Sequence, residues 1–337
     1  MDLQAPREAT RHQRMRMQRG KEKTSIRNSA EIVFSGSREY NTLRLPLSLR
    51  EGKERNMKVR ISADSTCDLG PELVEKYQVT IAPLSVIMDG QNYKDGVDVT
   101  PEAIFSAVDH GKKVQTAAVN QFEYQELFRN LLEDGDEIVH FCISSEMSSC
   151  YADACEAARK VGDGKIFVVD SRNLSTGIGL LVLEACELAH MGKTGQEIFD
   201  FLQHRMDKVV ATFTVQDIGY LYRGGRCSGL EALGAKMLRI RPCIEVHDGK
   251  MSPGKKYRGS YEHYLKHYIR DQLKDAEDVD YKRIFITHSP SESGMVEFAK
   301  ECVKEYGHFR EILETTAGGT ICVHCGPNTL GILFMRK

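Results

Sequence analysis

Long hydrophobic runs are missing from this chain. The longest, around Gly177–Ala185, reads as a buried helix of a globular core, since a membrane-spanning helix needs ~18–20 apolar residues. Charge of one sign is equally scarce: a formal net charge of −2 over 337 residues gives no reason to expect a nucleic-acid or anionic-membrane surface. The ten cysteines are scattered and lack the tight, even framework of a small secreted domain. No secretory signal precedes them, so they are expected as reduced thiols of a cytoplasmic protein. Catalytic signatures are absent too, with no GxSxG elbow, Walker A loop or HExxH helix. Gly177-Ile178-Gly179 is a fragment of a dinucleotide fingerprint placed inside a predicted helix. Cys322-Val323-His324-Cys325 has CxxC spacing but no second ligand pair, and its apolar, β-prone setting predicts buried strand thiols. No cofactor or metal is expected, and no internal repeat is present.

What the chain does contain is 41% apolar and 28% charged residues, the balance of a soluble globular protein, at a length that suits two domains. Residues 1–56 differ in kind. They hold 13 lysines and arginines against seven acids, a formal +6, whereas residues 57–337 hold 33 against 41, a formal −8. RHQRMRMQRGKEK has no apolar period and is expected to be disordered. Such a segment reads as a basic arm, an organelle-targeting peptide or a stretch that is not native. Interspersed acids and the lack of a clean Arg-rich amphipathic face speak against targeting. Met57 stands directly before the first predicted strand, and Glu51-Gly52-Lys53-Glu54 can be encoded almost wholly by purines, as a bacterial ribosome-binding site read in frame would be. Met57 is therefore expected to be the biological N-terminus. Peptides from residues 1–50 in an N-terminal mass analysis of the native protein would refute that.

From Met57 onward, strands alternate with helices. Strands are predicted at 58–63, 79–88, 137–143 and 165–169, and helices after Pro71, from Thr100-Pro101, from Asn120, through Ala158 and over about 175–191. Asn120-Gln121-Phe122-Glu123 is a variant capping box, and Thr194-Gly195-Gln196-Glu197 caps a further helix. This alternation predicts a mostly parallel sheet with flanking helices. After about Val215 the pattern changes to α+β. Gly224-Gly225-Arg226 interrupts two helical pieces, and Asp248-Gly249 marks a hairpin. Helices near 260–273 and 292–305, a strand at 283–287 and terminal strands at 320–324 and 330–335 follow. The expected organisation is an α/β domain over 57–212 and an α+β domain over 213–337.

The most informative stretch is 137–155, EIVHFCISSEMSSCYADAC, in which an apolar strand runs into four serines and then a helix. Ligands of open α/β sheets bind beyond the carboxyl ends of the strands, and hydroxyls with free helix N–H groups suit an anion there. Two further turns, Asp64-Ser65-Thr66 and the one at Thr116, carry hydroxyls. If their strands are adjacent and parallel, all three open on one edge. Each hydroxyl is also readable as an ordinary helix cap. Arg226 follows two glycines and can pair with an anion bidentately; Arg258 has the same reading with less support. His288 ends a strand, where it can donate to a carboxylate. His263 and His267, four apart on one helix, lack the third ligand a metal would need and are read as a solvated face.

Taken together these segments resemble the DegV family, the fatty-acid-binding proteins that include the FakB subunit of bacterial fatty acid kinase. The resemblance covers 57–337. It rests on Asp64-Ser65-Thr66, ISSEMSSCY (143–151), VVDSR (168–172), Leu221 to Arg226, Leu238-Arg239-Ile240-Arg241-Pro242, His288 and His324-Cys325-Gly326-Pro327. It implies two α/β domains enclosing one long-chain fatty acid, with the carboxylate contacted by Thr116, Ser145, Arg226 and His288; Ser65, Ser144 and Arg258 are secondary candidates from the turns themselves. It further implies a separate partner subunit, similar to dihydroxyacetone kinase, that phosphorylates the bound acid, so that this chain is not itself the catalyst. Where the family has a TSQPS-like turn, this chain has Thr116-Ala117-Ala118-Val119-Asn120, which loses a Ser, a Gln and a Pro. Met88, Met147, Met237, Ile178 and Leu180 would make an adaptable lining. Two rival readings stay open. One is a hydrolase or transferase with Ser145 or Ser65 as nucleophile and His288 as base. The other is a lipid carrier or sensor with no kinase partner.

Overall fold

The computed structural model of the chain describes residues 57–230, 240–274 and 276–337. The basic extension, Met237 and the Leu238-Arg239 pair lie outside the described residues.

A parallel sheet is built from β1 (Val59–Asp64), β2 (Thr80–Ala82), β6 (Glu137–Cys142) and β7 (Ile166–Asp170), in the order β2-β1-β6-β7. β1 and β6 are buried along most of their length, which is why they read as near-continuous apolar runs. The chain leaves β1 toward β2 on one side and returns as β6 on the other. The switch point therefore lies between the carboxyl ends of β1 and β6, where open α/β sheets form their crevice. α3 (Gln121–Glu133) and α4 (Cys150–Gly162) pack on one face, and α5 (Thr176–His190) and α6 (Gly195–Gln203) on the other. The capping boxes at Asn120–Glu123 and Thr194–Glu197 are both formed.

A second, mixed sheet has the order β10-β9-β8-β13-β11-β12. Its strands are β8 (Val209–Thr214), β9 (Ile240–His247), β10 (Lys250–Arg258), β11 (Val279–His288), β12 (Glu311–Thr316) and β13 (Leu330–Arg336). Only the β11–β12 pair is parallel. β9 and β10 form the expected hairpin, with Asp248 at φ 50° and Gly249 at φ 80°, the left-handed pair that a two-residue hairpin loop requires. α8 (Tyr261–Leu273) and α9 (Met295–Tyr306) cover one face with a cluster of their own.

α5 packs against β1 and β6 of the parallel sheet and also against β8 and β13 of the mixed one. Its residues Thr176–Leu183 are all buried, and a helix apolar all round is a helix enclosed on all sides. One hydrophobic cluster accordingly runs from Ile61 in β1 through α5 to Leu333 in β13.

Several elements differ from the sequence reading. The expected strand 79–88 is two strands in different sheets, β2 and β3 (Ser85–Met88), separated at Pro83. Proline has no N–H to give a continuing ladder. β3 pairs antiparallel with β4 (Gln91–Lys94) and β5 (Val114–Ala117) in a third small sheet. Thr116 thus sits within β5, and only the other two hydroxyl turns share an edge. β12 was not foreseen. The expected terminal strand at 320–324 is a helix, α10 (Gly319–Cys325). The remaining helices are α1 (Pro71–Tyr77), α2 (Pro101–Asp109) and α7 (Ile218–Gly224). No helix among the described residues is long and apolar enough to cross a membrane.

Candidate functional site

At the switch point, the Asp64 carboxylate is fully buried. It accepts from the Tyr124 hydroxyl at 2.6 Å and from the Ile143 N–H at 3.1 Å, so it ties the end of β1 to the residue following β6. His140 lies beside it, with Nδ1 2.9 Å from the Ser62 hydroxyl and Nε2 3.4 Å from Asp64 Oδ1 without hydrogen-bond geometry. Ser62, His140 and Asp64 have the identities of a catalytic triad. All three are fully buried, however, with the rings of Tyr124 and Phe128 edge-on to the imidazole. A nucleophile must reach its substrate, so this network is structural.

In the first turn the Ser65 hydroxyl is used internally, while the Thr66 hydroxyl is buried without a hydrogen-bond partner among the described residues. Ser65 donates to Asp95 at 3.0 Å and accepts from the Leu84 N–H at 3.2 Å. Ser144 is buried and donates to the Gly249 carbonyl at 2.7 Å. Ser145, expected as the head-group contact, is exposed and turned away. Its hydroxyl and its N–H both donate to Asp170 at the end of β7, at 2.6 and 3.1 Å. The chain folds back here, with the N–H groups of Met147 and Ser148 donating to the Ser144 carbonyl. That reversal carries Ser148 inward. Neither Ser65 nor Ser145 hydrogen-bonds a histidine among the described residues, the pairing that a serine-nucleophile reading calls for.

Ser148 lines a cavity of about 60 Å³ together with Thr116, Met147, Arg226, Ile321 and His324. The Thr116 hydroxyl and His324 Nε2 share a hydrogen bond of 2.8 Å, while Nδ1 is buried with no partner among the described residues. Burial, and secondarily the nearby Arg226 guanidinium, holds the imidazole down to about 4, so the ring is neutral at pH 7. Arg226 follows Gly225, which takes φ 66° to end α7. Its Nη1 donates to the Gly224 carbonyl at 2.7 Å and its Nε to the Met147 carbonyl at 3.4 Å. No carboxylate among the described residues pairs with it, so the cation remains uncompensated and has N–H groups to spare. A side chain on Gly224 would run into the His324 ring, which explains the small residue at this position.

Thr320, Ile321, His324 and Cys325 all face this cavity from α10, at the spacing of one helical face. A seven-residue helix is too short to stand unaided. This one is capped from elsewhere: the N–H of Gly318 donates to Asp68 at 2.8 Å, and those of Gly319 and Thr320 donate to Asp95 at 2.7 and 3.0 Å. Burial, chiefly, pushes the Asp68 carboxyl up to about 8, with Asp95 adding to the effect against the hydrogen bonds of Ser175 and Gly318.

His288 is elsewhere. It sits 3.3 Å from Glu314 Oε1 and 2.9 Å from the Ser289 carbonyl, and lines a second cavity of about 20 Å³. The two cavities share Leu174, Ile321 and Cys325 as walls. Arg258 is exposed at the last position of β10 and lines neither. Met147 lines the first cavity as expected, and Met251 joins it unforeseen. Met88, Ile178 and Leu180 line neither. The structure therefore groups Thr116 and Arg226 with Ser148 and His324, in place of Ser145 and His288. His324 stood out in the sequence as part of a Cys-His-Cys motif assigned to a strand and of a segment carrying the family resemblance, without a site role; read as a helix, Thr320 and His324 fall on one face.

The profile of the DegV family, described as uncharacterised proteins, matches residues 58–337. The chain belongs to the DegV family. A DegV domain-containing protein of Caldanaerobacter subterraneus subsp. tengcongensis is 28% identical over 282 residues, covering 83% of this chain and 99% of the relative. Among solved structures, the chain is similar to a DegV family protein from Thermus thermophilus described by its fatty acid binding, at 26% identity and TM-score 0.75 over 83% of this chain and 100% of that one. It is also similar to a DegV lipid-binding protein from Thermotoga maritima, at 27% identity and TM-score 0.74 over 83% and 99%. A third is a stearic acid-binding protein from Eubacterium ventriosum, at 27% identity and TM-score 0.72 over 83% and 98%. The mixed α/β architecture, a parallel sheet followed by a mixed one, is that of DegV proteins.

Proposed function

We propose that this DegV protein binds one long-chain fatty acid and presents its carboxyl to a separate kinase, similar to dihydroxyacetone kinase, that converts it to an acyl phosphate in the cytoplasm. The observation that carries the reading is Arg226, a cation with no carboxylate partner among the described residues, beside the neutral Thr116–His324 pair at one end of an apolar path. Arg226 neutralises the carboxylate, and Thr116, Ser148 and His324 orient it. The acyl chain runs past Leu174, Ile321 and Cys325 toward the second cavity, between walls drawn from 57–212 and from 213–337, the two proposed domains. The solved relatives whose descriptions name fatty acids support the ligand class.

Burying an acyl chain gains ~0.8 kcal/mol per CH₂, on the order of ten kcal/mol for a sixteen-carbon chain before the costs of association. The two cavities of this path, of about 60 and 20 Å³, are far smaller than the ~300 Å³ or more of a ligand pocket. Binding therefore requires the side chains between them to move apart, a rearrangement of the kind common in recognition. Titration of delipidated protein with oleate tests the head-group assignment. Arg226→Gln should weaken binding ~10- to 100-fold, the value of one charge-assisted hydrogen bond, and unchanged affinity would remove Arg226 from the site. Acyl phosphate made from ATP only when both this protein and such a kinase are present would support the presenting role.

A further inference from the structure

Thr116, Arg226 and His324 are walls of two spaces at once. On the far side from the apolar path they border an open cleft of about 360 Å³, whose other lining includes Lys112, Lys113, Gln115 and Arg223. No acidic side chain among the described residues lines it. We propose that this cleft is a phosphoryl-binding subsite, which takes the phosphate of a long-chain acyl phosphate while the acyl chain stays in the lipid path. The proposal rests on the fatty-acid reading above and assigns the region beyond the carboxyl.

Three observations carry it. First, the charge is out of proportion to a carboxylate. One cation, Arg226, suffices for a monoanion, yet the cleft adds Lys112, Lys113 and Arg223 in a body that is formally −8 over residues 57–337. A phosphoryl group carries close to two negative charges and three acceptor oxygens at neutral pH, which matches that excess. Second, none of the three takes part in an ion pair among the described residues, although the Asp217 carboxylate flanks Gly219 beside Arg223. Asp109 and Asp217, the acids acting on Tyr220 beside Arg223, are not among the lining residues.

Third, the Arg223 guanidinium and the backbone that carries the two exposed lysines are held in place. The Arg223 guanidinium lies over the Tyr220 ring, 4.6 Å from its centroid, which fixes its plane and leaves its N–H edge for an anion. The Lys112-Lys113 segment follows the Gly111 turn and is fixed through its backbone. The Lys112 N–H donates to the Ala107 carbonyl at 3.0 Å, and the Lys113 N–H to Asp89 at 3.1 Å. Continuity with the head-group site places the subsite where a group attached to the carboxyl oxygen would emerge.

The test uses a hydrolysis-resistant probe, a long-chain β-ketophosphonate in which CH₂ replaces the bridging oxygen, compared with the fatty acid of the same chain length. Wild type should bind both, and Arg223→Gln and the Lys112→Gln/Lys113→Gln double variant should each lose ~10-fold or more in affinity for the phosphonate with the fatty acid little changed. The double variant leaves the Tyr220 stacking intact and so separates lost charge from a disturbed α7. Equal losses for both ligands, or none for either, would overturn the subsite while leaving fatty-acid binding in place. Failure of wild type to bind the fatty acid at all would overturn the lipid reading and the subsite with it.

Discussion

At the residue scale, the site depends on one histidine kept neutral and one arginine kept unpaired. His324 is held down to about 4 by its burial and by Arg226, below its ordinary value of 6.5. In the unfolded chain the ring takes up its proton near 6.5, and in the folded protein only near 4. Its contribution to stability is thus intact above about pH 6.5, shrinks as pH falls through that window and levels off below about 4. His324→Gln should flatten the decline of Tm between pH 7 and pH 4.5, and parallel profiles would contradict the assignment. Asp68 gives the opposite slope. Its carboxyl is raised to about 8, so its neutral form fits the folded protein, and its contribution is lost as pH rises from about 4 toward 8. Asp68→Asn, which keeps an acceptor for the Gly318 N–H, should raise Tm relative to wild type at pH 8 and change it least at pH 4. No gain at pH 8 would show that the carboxylate is tolerated ionised.

The serine-rich turn shows how much a sequence discloses at this scale. That it should stand at a strand's carboxyl end, at the switch point, was legible from the apolar run before it. Which hydroxyl faces the cavity was not. Ser145 and Ser148 are equivalent as residue types, and the reversal over Ser144–Ser148, together with an acceptor at Asp170 from another strand, decides between them.

At the element scale, capped and periodic segments were readable and the rest were not. The boxes at Asn120 and Thr194 and the Asp248-Gly249 hairpin carry their stabilising partners within a few residues. α10 does not, because its cap is Asp95, more than two hundred residues earlier. Its short apolar stretch therefore reads as a strand. Asp95→Ala should leave two buried N–H groups unsatisfied, each costing ~1–3 kcal/mol. It should also lower fatty-acid affinity, although Asp95 is not among the residues lining the cavity, because α10 carries His324. Lower stability with affinity unchanged would separate α10 from the site. In α5, Leu181→Ala should cost ~2–5 kcal/mol by chemical denaturation, since this fully buried side chain sits in the cluster joining both sheets. A cost below about 1 kcal/mol would contradict that packing.

At the scale of the whole molecule, the parallel sheet, the mixed sheet and the helix between them bring residues from β5, the turn after β6, the segment after α7 and α10 to one cavity. Strand and helix alternation announced the two sheet types, but not that Thr116 and His324, 208 positions apart, would share a hydrogen bond. Such a site forms only in the folded protein, so its ligand should stabilise the fold in proportion to affinity and concentration. Native mass spectrometry of the purified protein is the most direct measurement of the central claim. The account predicts a single long-chain fatty acid bound to the wild type and markedly less on a folded Arg226→Gln variant. A wild type that carries no fatty acid, and takes none up when oleate is supplied, would contradict it.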